Sequence, residues 1–494
     1  MLEEQDIQTY YFLGIGGIGM SALARYFKQL GYDVRGYDRT PSPLTRELEA
    51  EGIEIVYDNQ LIGESVNRLI GESVNRQNTL VVRTPAVPED QEIYTYLREH
   101  NYTILKRSEV LGLVTRQKKA LCVAGTHGKT TTSTILAHIM AGSHLGTNAF
   151  LGGISNNYRS NLLVNTNSSF VVVEADEYDR SFHHLHPYMS VITSIDPDHL
   201  DIYGTAEEYQ KGFDIYAGLV QEAIVIKKGF TVDNAQCTMH GCNSVDNAQC
   251  TMHNAKIYTY SAEEQADFYA DRITVQDGEI YFDFVGPDIR IPQIRLGVPV
   301  WVNIENSVAA MAIAWLNGAT ADECRQGVES FAGVYRRFNI HVKTDKVVYV
   351  DDYAHHPTEL NASIQSIRKI YPKHHFIVVF QPHLYTRTRD FATDFKRVLG
   401  QADELILLPI YPARELPIPG VTSEMLLTVN RGTGEPVNRG TGESHNVVVE
   451  KSELVDYIAK RVQEIDGPVA VLSLGAGDID RIVPQIAERL ESRD

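Results

Sequence analysis

The chain has 494 residues, about three times the ~150 residues of an average domain, so we expect two to four domains, with three as the central expectation. Its composition, 43% hydrophobic and 22% charged residues, excludes wholesale disorder. The net charge of −19, from 45 Lys and Arg against 64 Asp and Glu, argues against binding of nucleic acid or of a membrane surface. Anionic ligands would therefore have to be bound by local pockets of backbone amides and a few cationic side chains.

The sequence predicts a cytoplasmic protein. No run of 18 or more apolar residues is present, so we expect no membrane span. The acidic first residues lack the basic and apolar regions of a signal peptide. The five cysteines form no regularly spaced framework, as is typical of proteins in a reducing compartment.

The first hundred residues alternate apolar β-rich runs with a helical pattern. We predict a helix at Met20–Leu30 and strands at Tyr10–Ile15, Asp33–Tyr37 and Thr79–Arg83. Such alternation is typical of βαβ units on a parallel sheet.

Two further α/β blocks follow. The middle block has a predicted helix at Thr131–Met140 and predicted strands at Ala120–Ala124, Phe170–Glu174 and Ser190–Ile195. The last block has a predicted helix at Phe391–Leu399 and predicted strands at Val347–Val350, Phe376–Phe380, Glu404–Leu408 and Val469–Leu474. We therefore predict an α/β fold with three domains at residues 1–107, 108–333 and 334–494, their boundaries near Arg107 and Gly333.

Three exact duplications interrupt this pattern. LIGESVNR occurs at 61–68 and 69–76, VDNAQCTMH at 232–240 and 245–253, and VNRGTGE at 429–435 and 437–443. These periods are too short for a solenoid repeat, so we interpret them as loop insertions. The middle duplication creates a zinc-like set of Cys237, His240, Cys242, Cys250 and His253, but most of the set comes from copying one nonapeptide, and we favour a loop without metal.

A first glycine-rich loop lies directly after the first predicted strand and opens the first helix. Its sequence, GIGGIG, is followed about 20 residues later by an acidic residue at the end of the next strand. Glycines there let the backbone approach a diphosphate at the helix N-terminus. The pattern does not distinguish a dinucleotide from a nucleotide sugar, and it also fits a tight turn without ligand. The candidate residues are Gly14, Gly16, Gly17, Ile18, Gly19 and Asp38.

A second glycine-rich loop, GTHGKTT, lies between the strand and the helix of the middle block. Measured against the phosphate-loop pattern GxxxxGK[ST] it is a shortened variant, with Val123 at the first glycine position. Its amides, from Gly125, Thr126, His127, Gly128 and Thr131, can surround phosphates, Lys129 can reach them, and Thr130 can offer its hydroxyl to Mg²⁺. We therefore predict binding of ATP or GTP.

Acidic clusters follow two strands of the same block. One contains Glu174, Asp176 and Glu177, and the other is DPDHLD, which includes His199. Either cluster alone would fit a solvated loop. Together, after a phosphate loop, they favour a Mg²⁺ site for phosphoryl transfer.

The last block has two His-, Tyr- and Arg-rich loops, VDDYAHHP and FQPHLYTRTRD, each after a predicted strand. The carboxyl ends of parallel strands are where open α/β sheets bind ligands. Paired arginines suit a carboxylate or a phosphate. Arg336 and Arg337, at the entry to this block, could bring positive charge to a nucleotide.

Taken together, GIGGIGM, GTHGKTTT, EADEYDRSF, DPDHLDIYG, DDYAHHPTE, FQPHLYTRTRDF and GAGDI resemble the ATP-dependent Mur ligases of peptidoglycan synthesis. The motifs span Gly14 to Ile479 in the family's order. The resemblance implies an N-terminal Rossmann-like domain that binds a UDP-sugar, a central phosphate-loop ATPase domain with a mostly parallel sheet, and a C-terminal Rossmann-like domain that presents an amino acid. It also implies a ligase that joins L-alanine to the lactyl carboxylate of UDP-N-acetylmuramate through an acyl phosphate, with ATP and Mg²⁺, as a monomer or weak homodimer.

The resemblance assigns residues to each site. The UDP diphosphate would meet Gly14–Gly19, with Asp38 and Thr84 nearby, and ATP would meet Gly125–Thr131. Thr130, Glu174 and His199 would be Mg²⁺ ligands, and Lys129, Glu174, His199 and Arg337 would be catalytic. Asn306 would meet adenine, while Arg337 and Asp352 would reach the nucleotide. The acceptor and amino-acid pocket would contain Tyr353, His355, Arg387 and Arg389.

Three positions depart from the family pattern: Leu384 stands where many relatives have Arg, Val302 where a His is frequent, and Phe213 where some relatives carry a carbamylated Lys. We therefore predict no carbamylated lysine. The alternatives are a relative that joins a tripeptide to the same nucleotide sugar in murein recycling, a nicotinamide oxidoreductase, and a noncatalytic nucleotide-binding module. The oxidoreductase would leave the ATP loop and acidic clusters unexplained, and amino-acid-dependent ATP turnover would separate a ligase from a binding module.

Overall fold

A computed structural model describes residues 6–57, 75–84, 86–233, 255–413, 415–427 and 446–491. The chain forms two compact units. The first comprises Met1–Asp271, Asp283–Ile294 and Glu305–Phe331, and the second comprises Arg272–Phe282, Arg295–Ile304 and Ala332–Asp494.

The first sheet has five parallel strands in the order β3-β2-β1-β4-β5. The strands are β1 (Thr9–Leu13), β2 (Asp33–Asp38), β3 (Glu54–Tyr57), β4 (Thr79–Arg83) and β5 (Thr103–Lys106). The order reverses at β1, so the loop that follows β1 lies at the switch point where such sheets bind ligands.

The second sheet has ten strands in the order β15-β14-β13-β12-β11-β10-β6-β9-β7-β8. They are β6 (Lys119–Ala124), β7 (Asn148–Ser155), β8 (Ser160–Leu163), β9 (Phe170–Glu174), β10 (Pro187–Ile192), β11 (Ala223–Lys227), β12 (Lys256–Ser261), β13 (Phe268–Gln276), β14 (Glu279–Gly286) and β15 (Ile289–Arg295). Strand β6 is buried between two parallel neighbours, β9 and β10. The ends of these three strands therefore meet at one edge.

The third sheet has six strands in the order β16-β17-β21-β18-β19-β20, parallel except for β16. They are β16 (Asn339–Lys343), β17 (Val347–Asp352), β18 (His375–Phe380), β19 (Glu404–Leu407), β20 (Val447–Val448) and β21 (Val469–Leu474). Buried Glu404 accepts hydrogen bonds from His375 (3.0 Å) and Arg461 (2.7 Å). Burial opposes its charge, but these bonds lower the pKa of Glu404 to about 2.

Helices accompany each sheet. Those of the first are α1 (Ile18–Gln29), α2 (Pro43–Ala50), α3 (Glu92–Glu99) and α4 (Arg107–Gln117). Those of the second are α5 (Lys129–Gly142), α6 (Leu200–Tyr203), α7 (Ala206–Gly218), α8 (Trp301–Leu316) and α9 (Ala321–Glu329). Those of the third are α10 (Pro357–Ile370), α11 (Tyr385–Asp390), α12 (Ala392–Leu399), α13 (Leu454–Glu464) and α14 (Val483–Glu491).

The first two sheets share one hydrophobic core within the first unit. Tyr26 of α1 packs edge-to-face against Phe150 of β7, with ring centroids 5.1 Å apart. This packing attaches the helix of the first glycine loop to the sheet that carries the second loop.

The prediction of an α/β fold with mainly parallel sheets is confirmed. The predicted helix Phe391–Leu399 is present as α12, with Phe391 as its N-cap, and a further short helix, α11, directly precedes it. The predicted strand Ser190–Ile195 ends at Ile192, because Ser194 hydrogen-bonds the phosphate loop through its carbonyl, which accepts from Thr126 N–H (3.2 Å).

Within the described residues, no helix combines the length and apolar character that crossing a bilayer requires. The Cys and His set that we interpreted as a loop without metal lies outside the described residues, as do most of the three duplications. Cys122 and Cys324 are free and buried.

Candidate active site

The first glycine loop connects β1 to the N-terminus of α1. The Gly16 N–H donates to Asp38 Oδ2 at 2.7 Å, and the Arg39 N–H donates to the other oxygen at 2.8 Å. A Cβ atom on Gly16 would lie 2.8 Å from that carboxylate. Asp38 therefore holds the loop closed against the end of β2, as expected for a residue that shapes a phosphate-binding turn.

A cavity of about 730 Å³ opens beside this loop. Its walls come from three segments that follow β1, β2 and β4: Gly14, Gly17, Tyr37, Asp38, Arg39, Thr84, Ala86, Val87, Pro88, Asp90, Gln91 and Glu92. The volume suits a nucleotide-sized ligand. Most of the residues predicted to bind the UDP-sugar thus lie around one cavity.

The second glycine loop follows β6 and ends at Gly128, which caps α5. Gly125 has φ +129°, and a Cβ atom there would lie only 2.1 Å from Thr193 Oγ1. The loop is held from the side by Ser194, whose Oγ accepts from His127 N–H at 3.0 Å. Thr126 Oγ1 donates to the Asp196 carbonyl at 2.7 Å. Thr131 lies in the first turn of α5. The backbone of the predicted phosphate loop is thereby preorganised.

Lys129 lies in a buried ion pair that the sequence analysis did not predict. Its Nζ lies 2.8 and 2.7 Å from the two carboxylate oxygens of Glu177 and donates to the Gly125 carbonyl at 2.7 Å. Glu177 is only 1% exposed. Burial opposes the charge of the lysine, but Glu177 and Glu174 outweigh it and raise the pKa of Lys129. The phosphate-loop lysine is thus charged and already paired.

Thr130 and Glu174, two of the three predicted Mg²⁺ ligands, are in direct contact. Thr130 Oγ1 donates to Glu174 Oε1 at 3.1 Å, and the Gly152 N–H donates to the other oxygen at 3.1 Å. A hydroxyl and a carboxylate are hard oxygen donors, and Mg²⁺ is typically bound by one or two such groups together with water and phosphate oxygens. The donor set therefore fits Mg²⁺.

His199, the third predicted ligand, lies closer to the lysine pair. Its Nε2 is 3.9 Å from Glu177 Oε1, and its backbone is left-handed, with φ +52°. Tyr203, one turn later, donates its hydroxyl to the Glu177 carbonyl at 2.7 Å. Among the described residues, no three His, Cys, Asp or Glu side chains converge as a metal-binding group. In the structure, Thr130 is thus hydrogen-bonded to Glu174, whereas His199 lies near Glu177.

Asn306 lies beside the phosphate loop. Its Oδ1 accepts from Thr132 Oγ1 at 3.1 Å and is 3.0 Å from the position of a Cβ atom on Gly128. The helix that carries it begins at Trp301. Phe213 is fully buried in an aromatic cluster with Phe182.

In the second unit, the two arginines at 336 and 337 differ. Arg336 is buried, donates to the Gly475 carbonyl and lies 3.8 Å from Asp351. Arg337 is half-buried, with its guanidinium 5.1 Å from the Tyr353 ring centroid. Burial raises the pKa of Asp352, although a hydrogen bond from Ser363 and the charge of Arg337 oppose this. Arg337 and Asp352 therefore influence each other, whereas Arg336 supports the fold.

Three of the four residues predicted for the amino-acid pocket lie together at the ends of β17 and β18. The rings of Tyr353 and His355 are 5.3 Å apart, those of His355 and His383 are 6.0 Å apart, and Arg387 lies 3.4 Å from His383 Nδ1. Burial, His355 and Arg387 lower the pKa of His383 to about 4. This cluster is polar and cationic, with neutral imidazoles.

Two other residues of the same loop, Arg389 and Leu384, have different surroundings. Arg389, the fourth predicted pocket residue, is exposed and pairs with Asp390 at 2.7 Å. Leu384 has φ +70°, an unfavourable backbone conformation for leucine, and its N–H donates to the Tyr411 carbonyl at 3.0 Å.

Neither Glu177 nor His383 was predicted individually as a site residue, although Glu177 belongs to the acidic cluster predicted to bind Mg²⁺ and His383 lies in a predicted ligand-binding loop. Glu177 is the third acidic residue of EADE, and His383 opens HLYTRTR. Their position within these motifs was the only feature of the sequence that pointed to them. The contacts that distinguish them come from chain segments remote in sequence.

Three family models match the chain in order. "Mur ligase family, catalytic domain" matches residues 9–119, "Mur ligase middle domain" matches 123–314, and "Mur ligase, glutamate ligase domain" matches 336–477.

The chain is also similar to complete curated proteins. It is 51% identical over 493 residues to UDP-N-acetylmuramate–L-alanine ligase of Parabacteroides distasonis, covering 99% of this chain and 98% of that protein. It is 49% identical over 489 residues to the ligase of the same name from Porphyromonas gingivalis, covering 98% of this chain and 100% of that protein.

Two solved structures are similar to this chain over nearly its whole length. The crystal structure of UDP-N-acetylmuramate-alanine ligase from Thermotoga maritima superposes with a TM-score of 0.72 at 25% identity, covering 98% of this chain and 100% of that one. A murein peptide ligase from Psychrobacter arcticus superposes with a TM-score of 0.60 at 18% identity, covering 98% of both chains, which shows the shared fold alone.

Proposed function

The chain belongs to the Mur ligase family, and we propose that it joins L-alanine to the lactyl carboxylate of UDP-N-acetylmuramate, using ATP, in peptidoglycan precursor synthesis. The observation that carries this function is the position of Glu174. Its carboxylate contacts Thr130 of the phosphate loop and also lines a cavity that extends to the first glycine loop. A phosphate donor and a sugar-linked acceptor can therefore approach each other within the first unit.

The reaction has two steps. The lactyl carboxylate attacks the γ-phosphorus of ATP, forming a carboxyl–phosphate bond while the bond to the bridging oxygen of ADP breaks. The amine of L-alanine then attacks the acyl carbon, loses a proton and displaces inorganic phosphate, leaving an amide. Phosphoryl transfer depends on positioning and charge stabilisation, which the amides of Gly125–Thr131 and the ammonium of Lys129 supply in this proposal.

Residues of the first unit would hold the remaining groups. The amides of Gly14–Gly19 at the start of α1 would bind the UDP diphosphate, with Asp38 and Thr84 at its side. Thr130, Glu174 and His199 would hold Mg²⁺, which would neutralise charge between donor and acceptor oxygens. Asn306 would meet the nucleotide.

We assign amino-acid binding to the second unit. Arg387 would bind the carboxylate of alanine, and Tyr353 and His355 would line its pocket, with Arg389 at the rim. Arg337 and Asp352 would contact the nucleotide. Burial lowers the pKa of His355, so its imidazole would be neutral in this pocket. We place the domain boundaries near residues 107 and 333, and the enzyme in the cytoplasm.

Phosphate release from ATP tests the function directly. The wild-type protein is incubated with ATP, Mg²⁺ and UDP-N-acetylmuramate, and L-alanine, L-serine, glycine and a murein tripeptide are added one at a time. We expect phosphate release that depends on both the sugar and L-alanine, with the amide product identified by mass spectrometry. Turnover with the tripeptide alone would instead indicate the recycling ligase. Phosphate release that yields no amide product with any of these amino acids or with the tripeptide would contradict both ligase functions.

A further inference from the structure

A second cavity, of about 330 Å³, lies within the first unit beside the start of α1. It shares Gly17 and Thr84 with the larger cavity at the first glycine loop. At its other side it is lined by Gly152, Glu174 and Asp176. A ligand whose diphosphate lies at the first loop would therefore extend through this space toward the phosphate loop.

Arg107 contributes the one cationic side chain among the described residues that line this cavity. It is the first residue of α4, and its guanidinium covers the first turn of α1. A Cβ atom on Gly19 would lie 3.0 Å from the Arg107 Nη1 atom. A larger residue at position 19 would therefore require the guanidinium to shift away from the helix backbone.

The ion pair of Arg107 is weak. Its Nη2 lies 3.9 Å from Asp176 Oδ2, at the limit of an ion pair, and both side chains are partly exposed. At that distance the attraction is small and easily exchanged for a better partner. The guanidinium is thus available to an incoming anion.

The charges on the walls of the cavity favour binding of a carboxylate at Arg107 over binding at other positions in the same cavity. Glu174 and Asp176 repel an anion, whereas Leu111, Phe150 and Leu151 provide apolar surface that strengthens charge interactions by excluding water. The planar guanidinium binds a carboxylate through two parallel hydrogen bonds.

We propose that Arg107 binds the carboxylate of the acceptor sugar and holds it in the cavity that extends toward the phosphate loop. On binding, Arg107 exchanges Asp176 for the substrate carboxylate. This inference rests on the proposed function and adds to it a residue that recognises the reacting group. It makes Arg107 the determinant that separates acceptor sugars with a lactyl carboxylate from nucleotide sugars without one.

Calorimetric binding of two nucleotide sugars tests the inference. UDP-N-acetylmuramate carries the lactyl carboxylate, and UDP-N-acetylglucosamine is the same nucleotide sugar without the lactyl ether group that bears it. For Arg107→Ala we expect affinity for UDP-N-acetylmuramate to fall roughly 10- to 150-fold, the loss of a charge-assisted bidentate contact. Affinity for UDP-N-acetylglucosamine should change less than about threefold. Arg107→Lys, which keeps the charge but not the planar fork, should be intermediate.

Kinetics provide a second readout. The KM for UDP-N-acetylmuramate should rise in Arg107→Ala, while the KM for ATP should stay unchanged. Lys106→Ala is the matched control, because Lys106 is adjacent, pairs with Asp179 at 3.3 Å and does not line the cavity. It should bind both sugars as the wild type does.

Two results would overturn the inference. An equal loss of affinity for both sugars would mean that Arg107 supports the glycine loop, and unchanged discrimination would mean that the carboxylate binds elsewhere. Either result could occur in a protein whose wild type still ligates L-alanine, which leaves the proposed function intact. Failure of the wild type to bind UDP-N-acetylmuramate would instead refute the proposed function itself.

Discussion

Replacing Lys129 with methionine tests the buried ion pair in the phosphate loop. Methionine fills similar space but leaves the Glu177 carboxylate, which is 1% exposed, without its cation. Burial raises the pKa of Glu177, and the paired lysine opposes that rise. Removing the lysine therefore forces the carboxyl group to take up a proton on folding, or to remain charged in a site that excludes water.

The expected loss in the free energy of unfolding follows from the cost of protonating Glu177. Each pH unit above the ordinary glutamate pKa of about 4.3 costs about 1.4 kcal/mol, so protonating Glu177 costs about 4 kcal/mol at pH 7.5 and about 2 kcal/mol at pH 5.5. The higher value matches the range of about 3–5 kcal/mol for breaking buried ion pairs. Because the folded state binds the extra proton, the loss in the free energy of unfolding must grow as pH rises.

The assay is urea unfolding of the nucleotide-free protein in EDTA, followed by circular dichroism at both pH values. The double variant Lys129→Met with Glu177→Gln is the matched control, because a neutral amide needs no cation. It should recover stability to within about 1 kcal/mol of the wild type at pH 7.5, without regaining ligase activity. Equal losses for Lys129→Met at the two pH values, or a double variant as unstable as the single one, would mean that the folded protein does not depend on Lys129 to hold the charge of Glu177.

Three more variants probe the other sites. Glu174→Gln should raise the Mg²⁺ concentration needed for half-maximal ATP binding by roughly tenfold or more, because it removes the charged ligand beside Thr130; an unchanged Mg²⁺ titration would contradict the assignment. Gly16→Ala should weaken UDP-N-acetylmuramate binding by about tenfold or more, because the alanine Cβ would lie 2.8 Å from the Asp38 carboxylate. ATP binding should stay normal, and calorimetry with each ligand measures both affinities. Glu404→Gln should lower the free energy of unfolding by about 3 kcal/mol at pH 7. Its carboxyl has a depressed pKa of about 2, so the deficit should shrink as pH falls from about 4.3 toward 2, and a pH-independent deficit in urea unfolding would argue against the ion pair.

The sequence predicted the parts of the site that depend on local context. A strand followed by a glycine turn and a helix is a local pattern, so both loops were found where the structure has them. The end of β9 was also predictable, because its apolar run stops at Glu174. The same rule failed for β17, which was predicted to end at Val350 but continues through Asp351 and Asp352. The prediction for Ser190–Ile195 extended too far, because a polar residue such as Ser194 can either continue a strand or bond a neighbouring loop.

The partners of Glu177 could not be predicted in the same way. Glu177 meets Lys129 across 48 residues of sequence, and it lies directly before a segment, Tyr178–His184, that turns through left-handed residues at Asp179 and Arg180. Spacing in the sequence carries no information about such a turn. Arg107 is a similar case: its closeness to Gly19 depends on how α1 and α4 pack together, which arises from tertiary contacts.

The pairing of Lys129 with Glu177 affects which anions the loop can hold. With its ammonium group already neutralised by an internal carboxylate, the resting loop offers little net attraction to a small free anion such as orthophosphate. A triphosphate makes many simultaneous contacts with the loop amides and can displace the carboxylate, whereas orthophosphate makes few. We therefore expect orthophosphate, which the proposed reaction releases, to inhibit the enzyme only weakly.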